Sequence, residues 1–119
     1  MNDNDNDEGV SVQRYGFVVN VVPELRDEYL RLHAAVWPQV EETIRACNIT
    51  NYTIFVLEDT LFAYYEYVGT DHARDLDLIG QDPVTREWWT HTDPCQTPFG
   101  RDAREGERWR AMREVWHLT

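Results

Sequence analysis

The stretch Tyr52-Thr53-Ile54-Phe55-Val56-Leu57, followed by Leu61-Phe62-Ala63-Tyr64-Tyr65-Glu66-Tyr67-Val68, decides the fold of this chain. Both runs are rich in the aromatic and β-branched residues that favour β-strands. Only Glu58-Asp59-Thr60 separates them, and a link this short joins antiparallel neighbours. The two runs are therefore predicted to form a β-hairpin at the centre of the chain.

Towards the N-terminus, the sequence predicts one strand and a helix in two segments. Residues 15–22 (YGFVVNVV) form the strand, which is ended by a proline. A helix opens at residues 23–28, where acidic side chains suit the positive end of the helix dipole, and runs to about Val36. Trp37 precedes a proline and is biased away from helical geometry, so a second segment is predicted at residues 38–46.

Towards the C-terminus, two further helices follow the hairpin. Thr70 or Asp71 caps the first of them, which reaches about residue 79. Asp82-Pro83 is a strong start for the second, which continues through the Trp88-Trp89 pair.

The last part of the chain is predicted to be a long connection and a closing strand. Residues 94 to about 111 are polar and are expected to be irregular, which is typical of a lid, a subunit arm or a disordered loop. Residues 112–118 (MREVWHL) are predicted to form the final strand.

The order of elements is therefore β-α-β-β-α-β, the ferredoxin-like arrangement of an α+β domain. Its antiparallel sheet carries helices on one face, and the other face, rich in Tyr, Phe and Val, has to be covered. A second copy of the same sheet covers it most simply, so a homodimer with face-to-face sheets is predicted. Covering by the 94–111 segment is the alternative.

Length and composition indicate one domain with a tail. The chain has 119 residues, and hydrophobic residues make up 42% of them, enough for a single core. Residues 1–13 (MNDNDNDEGVSVQ) are acidic and of low complexity, so they are predicted to be disordered. The folded domain is expected to span residues 14–119.

The charge of the chain limits its partners. The formal net charge is -11, which leaves nothing to neutralise a phosphate backbone and excludes nucleic acid. The same charge disfavours anionic membrane surfaces and strongly anionic substrates. A neutral small molecule fits best.

Targeting features point to the cytoplasm. No apolar run approaches the roughly 20 residues that span a bilayer, and the acidic N-terminus is unlike a signal peptide. Cys47 and Cys95 could pair, but without a secretion signal two reduced thiols are expected. A cytoplasmic protein without membrane contact is predicted.

Tyr29, His33 and Trp37 form the most informative group of polar and aromatic residues. Their i, i+4, i+8 spacing would place a phenol, an imidazole and an indole along one face of a helix. This mixture suits a polyhydroxylated ring with one apolar face. The other interpretation is that His33 satisfies a hydrogen bond beneath the sheet while the two aromatic side chains pack in the core. Spacing alone leaves both interpretations open.

The pair Trp88-Trp89 is the second unusual feature. Adjacent helical residues point about 100° apart, so one indole is predicted to be buried and the other to wall a cavity or lie exposed. Tyr52, at the entry of a strand, has no assigned role from its position alone.

Other chemistries have weaker support. His91-x-Asp93-x-Cys95 lacks the ligand spacing of a known metal site, and Cys47 has no Cys or His neighbour at motif spacing. The sequence contains no Gly-rich phosphate loop and no GxSxG nucleophile turn. Neither a metal nor a cofactor is expected.

Several motifs also follow one another in a characteristic order. They are Phe17-Val18 … Glu28-Tyr29-x-x-x-His33-x-x-x-Trp37-Pro38, Asn51-Tyr52-x-Ile54-Phe55, Leu61-Phe62-Ala63, and Trp88-Trp89 followed by Asp93. Together, from about residue 15 to 93, they resemble the L-rhamnose mutarotase family. The resemblance implies the dimeric α+β barrel fold, which agrees with the topology predicted above, and a reducing sugar as substrate.

The resemblance also implies roles for single residues. His33 matches the proton donor of the family, and four aromatic residues match those that contact the sugar: Tyr29, Tyr52, Trp88 and Trp89. Trp37 and Asp93 are expected to support the site. The chain departs from the family at Gln39, where Glu is frequent, and at Val19, where Met is common. These differences leave the identity of the sugar open.

The implied reaction interconverts the α and β anomers of L-rhamnose or a related deoxyhexose by ring opening. His33 would protonate the ring oxygen, because an imidazole exchanges protons near neutral pH, and Tyr29 or a water would relay the second proton. Three alternatives share the predicted fold: a cofactor-free monooxygenase, a haem-degrading enzyme, and a binding module without catalysis.

Overall fold

The computed structural model describes residues 11–100 and 108–119, and the strands among them form one antiparallel sheet. The strands are β1 (Gln13–Val21), β2 (Ile49–Leu57), β3 (Thr60–Tyr67), β4 (Gln96–Thr97) and β5 (Arg110–Met112). Their spatial order is β2-β3-β1, and β4 and β5 pair in succession with the other edge of β1. This connectivity confirms the predicted ferredoxin-like order. Most of the expected acidic tail, residues 1–10, lies outside the described part.

The structure describes four helices, and the last two begin at the side-chain caps that the sequence predicts. In the described ranges these are α1 (Arg26–His33), α2 (Pro38–Ala46), α3 (His72–Gln81) and α4 (Pro83–Thr92), with 3-10 turns at Pro23–Leu25 and Asp93–Cys95. The Asp71 carboxylate accepts a hydrogen bond from the Arg74 backbone N–H at 3.1 Å, and Asp82 accepts one from Thr85 at 2.9 Å. Side-chain caps of this kind satisfy amides that the first helical turn leaves unpaired. No helix in residues 11–100 or 108–119 is long and apolar enough to cross a membrane.

The end of α1 corrects one prediction. The helix stops at His33, three residues before the predicted end near Val36. Trp37 has extended backbone, with φ -63° and ψ 129°, as the following proline favours. The chain must therefore leave helical geometry before Trp37. As a consequence, Trp37 does not continue the helical row of Tyr29 and His33.

The C-terminal segment corrects a second prediction. The closing strand is Arg110–Met112, not residues 112–118, and the described part of the 94–111 segment contains regular structure. Residues 110–112 pair with Gly16–Val18, while β4 occupies the other end of the same edge at Asn20 and Val21. Beyond Met112 an Arg14–Glu114 ion pair of 2.9 Å holds the chain beside β1 without a backbone ladder. Residues 101–107 lie outside the described ranges.

The core lies between the sheet and the helices. Alternate residues of β3 (Leu61, Ala63, Tyr65, Tyr67) are buried, together with Val19 and Val21 of β1. This period of two is the mark of a strand with one covered face. Burial of each such side chain stabilises the fold by roughly 1.5–3 kcal/mol.

The opposite face of the sheet presents apolar side chains to solvent. Phe55, Phe62 and Val18 form one cross-strand row, in which Phe55 is 60% exposed while Val18 is buried. Leu57, further along the same face of β2, is 66% exposed. Met112 packs over Gly16, where an added Cβ would lie 3.3 Å from the methionine Cε. The predicted uncovered face is therefore present in the single chain.

Candidate functional site

A cleft opens between the helix-facing side of the sheet and helices α1 and α4. Its inner part, the small lobe, has a volume of about 360 Å³. The small lobe is lined by Tyr29, His33, Tyr52, Ile54, Trp88, Trp89, Thr92, Asp93, Gln96, Arg108 and Trp109. Six of the seven residues singled out in the sequence meet here, although they come from separate elements. The seventh, Trp37, does not line the cleft.

His33 lies at the C-terminal end of α1, half-buried in the small lobe. Its Nδ1 lies 3.0 Å from the Tyr29 backbone carbonyl oxygen, and a carbonyl can only accept a hydrogen bond. The proton therefore sits on Nδ1, which leaves Nε2 as the nitrogen that can exchange a proton with a ligand. Burial lowers the pKa of His33 below its ordinary 6.5, and the bond to Tyr29 partly opposes that shift.

Tyr29 lies one helical turn before His33 and supports the imidazole from below. The two rings stack with centroids 4.2 Å apart and an interplanar angle of 26°. Burial strongly raises the pKa of the Tyr29 phenol, and a hydrogen bond with the Gln96 side chain opposes the shift. The phenol therefore stays protonated at neutral pH and can act as a hydrogen-bonding group.

A β-bulge in β2 turns Tyr52 towards the cleft. The register with β3 shifts between Thr50 and Thr53, and Asn51 adopts the left-handed conformation with φ 51°. In a regular strand Tyr52 would face the same side as Thr50, but the extra residue moves it to the helix side. Its ring lies 5.4 Å from that of Tyr65, and burial of the hydroxyl raises its pKa.

A hydrogen bond holds the bulge in place. The Asn51 side-chain amide donates to Glu66 Oε1 at 2.8 Å, and the Tyr64 hydroxyl donates to Glu66 Oε2 at 2.8 Å. Asparagine tolerates the left-handed conformation better than most residues. The strand pattern of the sequence did not predict this bulge. The residue that could have indicated it is Asn51, directly before Tyr52 and inside strand β2.

The tryptophan pair divides as the helical geometry predicts. Trp88 is 5% exposed and packs into the core, while Trp89 is 38% exposed. Both indoles line the small lobe, and the Trp88 ring lies 5.5 Å from that of His33 in an edge-on arrangement. Trp37 packs edge-on against Trp88 at 5.2 Å, on the side away from the cleft lining. Trp37 therefore supports the Trp88 side chain but does not line the cleft itself.

Asp93 and three residues from the segment that follows it also line the small lobe. Burial raises the pKa of the Asp93 carboxyl, and the charge of Arg108 partly opposes the shift. Gln96, Arg108 and Trp109 belong to the stretch that the sequence suggested to be irregular, so pattern alone did not mark them. The one signal was Trp109, an isolated aromatic residue in a polar segment.

The cleft continues into a second cavity, the large lobe, of about 840 Å³. The two lobes share five lining residues: His33, Tyr52, Ile54, Trp88 and Trp89. Most of the remaining walls of the large lobe come from α2, α3 and the start of β2, and Tyr65 of β3 and Thr85 of α4 contribute to them. In the described ranges, no three His, Cys, Asp or Glu side chains lie close enough to share a metal ion. The His91 side chain is exposed and faces Glu87, whereas Cys95 is buried.

Comparison with known proteins decides the family. The model of the L-rhamnose mutarotase family matches residues 14–118. The L-rhamnose mutarotase of Burkholderia cenocepacia (strain HI2424) is 32% identical over 109 residues, which cover 90% of this chain and 99% of that protein. The chain belongs to the L-rhamnose mutarotase family. This membership confirms the predicted class, a sugar mutarotase among the isomerases.

Solved structures show the fold of the family. The L-rhamnose mutarotase of Formosa agariphila superimposes with a TM-score of 0.67 at 18% identity, covering 90% of this chain and 99% of that one. Tetracenomycin F2 cyclase from Streptomyces glaucescens, a type-II polyketide cyclase, gives 0.63 at 15% identity with the same coverage. The predicted α+β barrel fold class is confirmed. Because a polyketide cyclase shares it, the fold alone does not determine the reaction.

Proposed function

We propose that this mutarotase interconverts the α and β anomers of L-rhamnose or a related 6-deoxyhexose, with His33 as the proton-transfer residue. One observation carries the proposal: the small lobe gathers His33 with Tyr29, Tyr52, Trp88 and Trp89 around a space of about 360 Å³. That volume lies at the lower end of the ~300–1,000 Å³ typical of small-molecule sites. The net charge of -11 also favours a neutral ligand.

The proton transfers follow from the orientation of the imidazole. With Nδ1 donating to the Tyr29 carbonyl, neutral His33 offers Nε2 as an acceptor. Nε2 takes the proton of the anomeric hydroxyl, directly or through the Tyr29 hydroxyl or a water, and gives a proton to the ring oxygen. The bond between the anomeric carbon and the ring oxygen breaks while the carbonyl forms. Rotation of the aldehyde and reversal of the steps give the other anomer.

The walls of the small lobe suit a sugar ring. Trp89, half open to the cleft, offers an indole face for the C–H side of the ring, and Trp88 closes the space beside His33. The hydroxyl of Tyr52 and the carboxyl of Asp93 line the same lobe and hydrogen-bond to sugar hydroxyls in this proposal. The reaction transfers only protons, so the proposal includes no cofactor.

We also propose an oligomeric state and a cellular location for the enzyme. A homodimer that packs the outer sheet faces together would cover the exposed Phe55 and Leu57 side chains. Two buried, free thiols, Cys47 and Cys95, are typical of a protein kept in the reducing cytoplasm.

Replacement of His33 tests the proposal. The His33→Ala variant is expected to lower catalysed anomer exchange of L-rhamnose at least about 100-fold, because a positioned acid–base group supplies 10²–10⁴-fold. Exchange is measured by saturation transfer NMR between the two anomer signals. A melting curve on the same sample checks that the fold is retained.

His117→Ala serves as the matched control, because His117 lies in the exposed C-terminal segment away from the cleft. It is expected to keep wild-type exchange. Undiminished exchange in His33→Ala would contradict the role of His33. A wild-type protein whose Tm rises with L-rhamnose but which accelerates no exchange would be a binding module instead.

A further inference from the structure

We propose that the large lobe binds a second sugar unit, so that the preferred substrate is a reducing disaccharide or short oligosaccharide ending in the 6-deoxyhexose. This inference rests on the proposed function, because it places the reducing unit in the small lobe beside His33. The second unit then extends past Tyr52 and Trp89 into the large lobe.

Continuity of the two lobes is the first observation. Five residues line both of them, and these include His33 and both tryptophans of the pair. A ligand whose anomeric carbon lies at His33 therefore also borders the large lobe. At about 840 Å³ the large lobe is more than twice the size of the small one, so a monosaccharide leaves most of the cleft unfilled.

The chemistry of the walls indicates what occupies the large lobe. Apolar side chains from α2 and α3, among them Ile44 and Ile79, form its floor. Glu41 and Arg45 of α2 stand at its edge. Within residues 11–100 and 108–119 neither side chain has a hydrogen bond or an ion pair. The Asn48 amide nitrogen donates to Asp75 at 3.0 Å, which leaves its carbonyl oxygen available.

An apolar floor with unpaired polar groups at the rim matches a pyranose. Such a ring has C–H faces that pack on apolar side chains and equatorial hydroxyls that bond to charged and amide groups. The net charge of -11 argues against a phosphorylated extension.

Filling the large lobe tests the inference. Leu76 and Leu78 both lie on α3 and are both 41% exposed, but only Leu76 lines the lobe. The Leu76→Trp variant is expected to lower kcat/KM for reducing disaccharides roughly tenfold or more while changing that for L-rhamnose less than about twofold. Leu78→Trp is expected to change neither. The panel comprises disaccharides with the second sugar at C2, C3 or C4 of a reducing rhamnose, assayed by saturation transfer NMR.

The outcomes separate the two proposals. Wild-type exchange of L-rhamnose without exchange of any disaccharide overturns the second-sugar assignment and leaves the proposed function standing. Equal losses in the two tryptophan variants also overturn it. Exchange confined to L-rhamnose and an O-acylated derivative assigns the lobe to an apolar substituent instead. If neither L-rhamnose nor any disaccharide is exchanged faster, the proposed function itself fails.

Discussion

His33 is held by two contacts from the same helical turn. The Tyr29 carbonyl oxygen fixes Nδ1, and the Tyr29 ring stacks beneath the imidazole at 4.2 Å. Because burial lowers the pKa of His33, the resting imidazole is neutral near pH 7. In the proposed mechanism His33 first accepts a proton from the anomeric hydroxyl, and the neutral imidazole is the state that this step requires.

The pH dependence of the reaction follows from this state. Catalysed exchange is expected to be constant around neutral pH and to fall only as the pH drops through a midpoint below 6.5, because protonated Nε2 cannot accept. Saturation transfer NMR across the acidic range, with the uncatalysed rate subtracted, measures the midpoint. The residual activity of His33→Ala should not show this decrease at acidic pH. A midpoint above 6.5 would contradict the lowered pKa.

At the scale of elements, the β-bulge in β2 connects sheet geometry to the site. Asn51 takes the left-handed conformation, and its side chain is tied to Glu66 at 2.8 Å. The extra residue bends β2 and moves Tyr52 from the outer face to the cleft. The bulge thus places Tyr52 where it lines both lobes.

Substitution at Asn51 tests this connection. Asn51→Val is expected to lower kcat/KM roughly tenfold, because a left-handed β-branched residue costs about 1–2 kcal/mol and regular pairing would turn Tyr52 outward. Asn51→Gly tolerates the same backbone and should retain more activity than the valine variant. Thr53→Ser, which keeps the hydroxyl that donates to the Asn51 carbonyl oxygen at 3.4 Å, is the control and should leave kcat/KM unchanged. Full activity in Asn51→Val would show that the bulge does not position Tyr52.

At the scale of the whole molecule, the two faces of the sheet have different tasks. One face carries the core and the cleft, while the other exposes Phe55 and Leu57, with the half-buried Phe62 opposite Phe55, beside the exposed C-terminal residues 113–119. A contiguous apolar surface of this kind indicates a protein contact. The proposed dimer would place its interface away from the lobes, since neither is lined by these side chains.

A charge on the outer face tests the dimer. The wild-type chain is expected to sediment as a dimer at micromolar concentration and Phe55→Glu as a monomer, because a buried unpaired carboxylate opposes association. Leu78→Glu, on the exposed side of α3, is the control and should remain dimeric. Analytical ultracentrifugation distinguishes the two states. A monomeric wild-type protein would remove the dimer from the proposal.

Local chemistry explains what the sequence determined by itself. The pairs Trp37-Pro38 and Asp82-Pro83 set the starts of α2 and α4, because proline geometry and side-chain caps act within one helical turn. Six of the eleven residues that line the small lobe could be named from the ordered motifs that resemble the L-rhamnose mutarotase family.

Tertiary structure decided the features that depend on distant partners. The closing strand begins at Arg110, opposite Val18, because β4 already occupies the edge of β1 at Asn20 and Val21. The pairing of β2 with β3 sets the register shift at Asn51. Gln96 lies at the small lobe because β4 pairs with β1, and Arg108 and Trp109 lie there because β5, which follows them directly, pairs with the same edge. Such placements arise from pairing and packing between residues far apart in the chain, which no local pattern encodes.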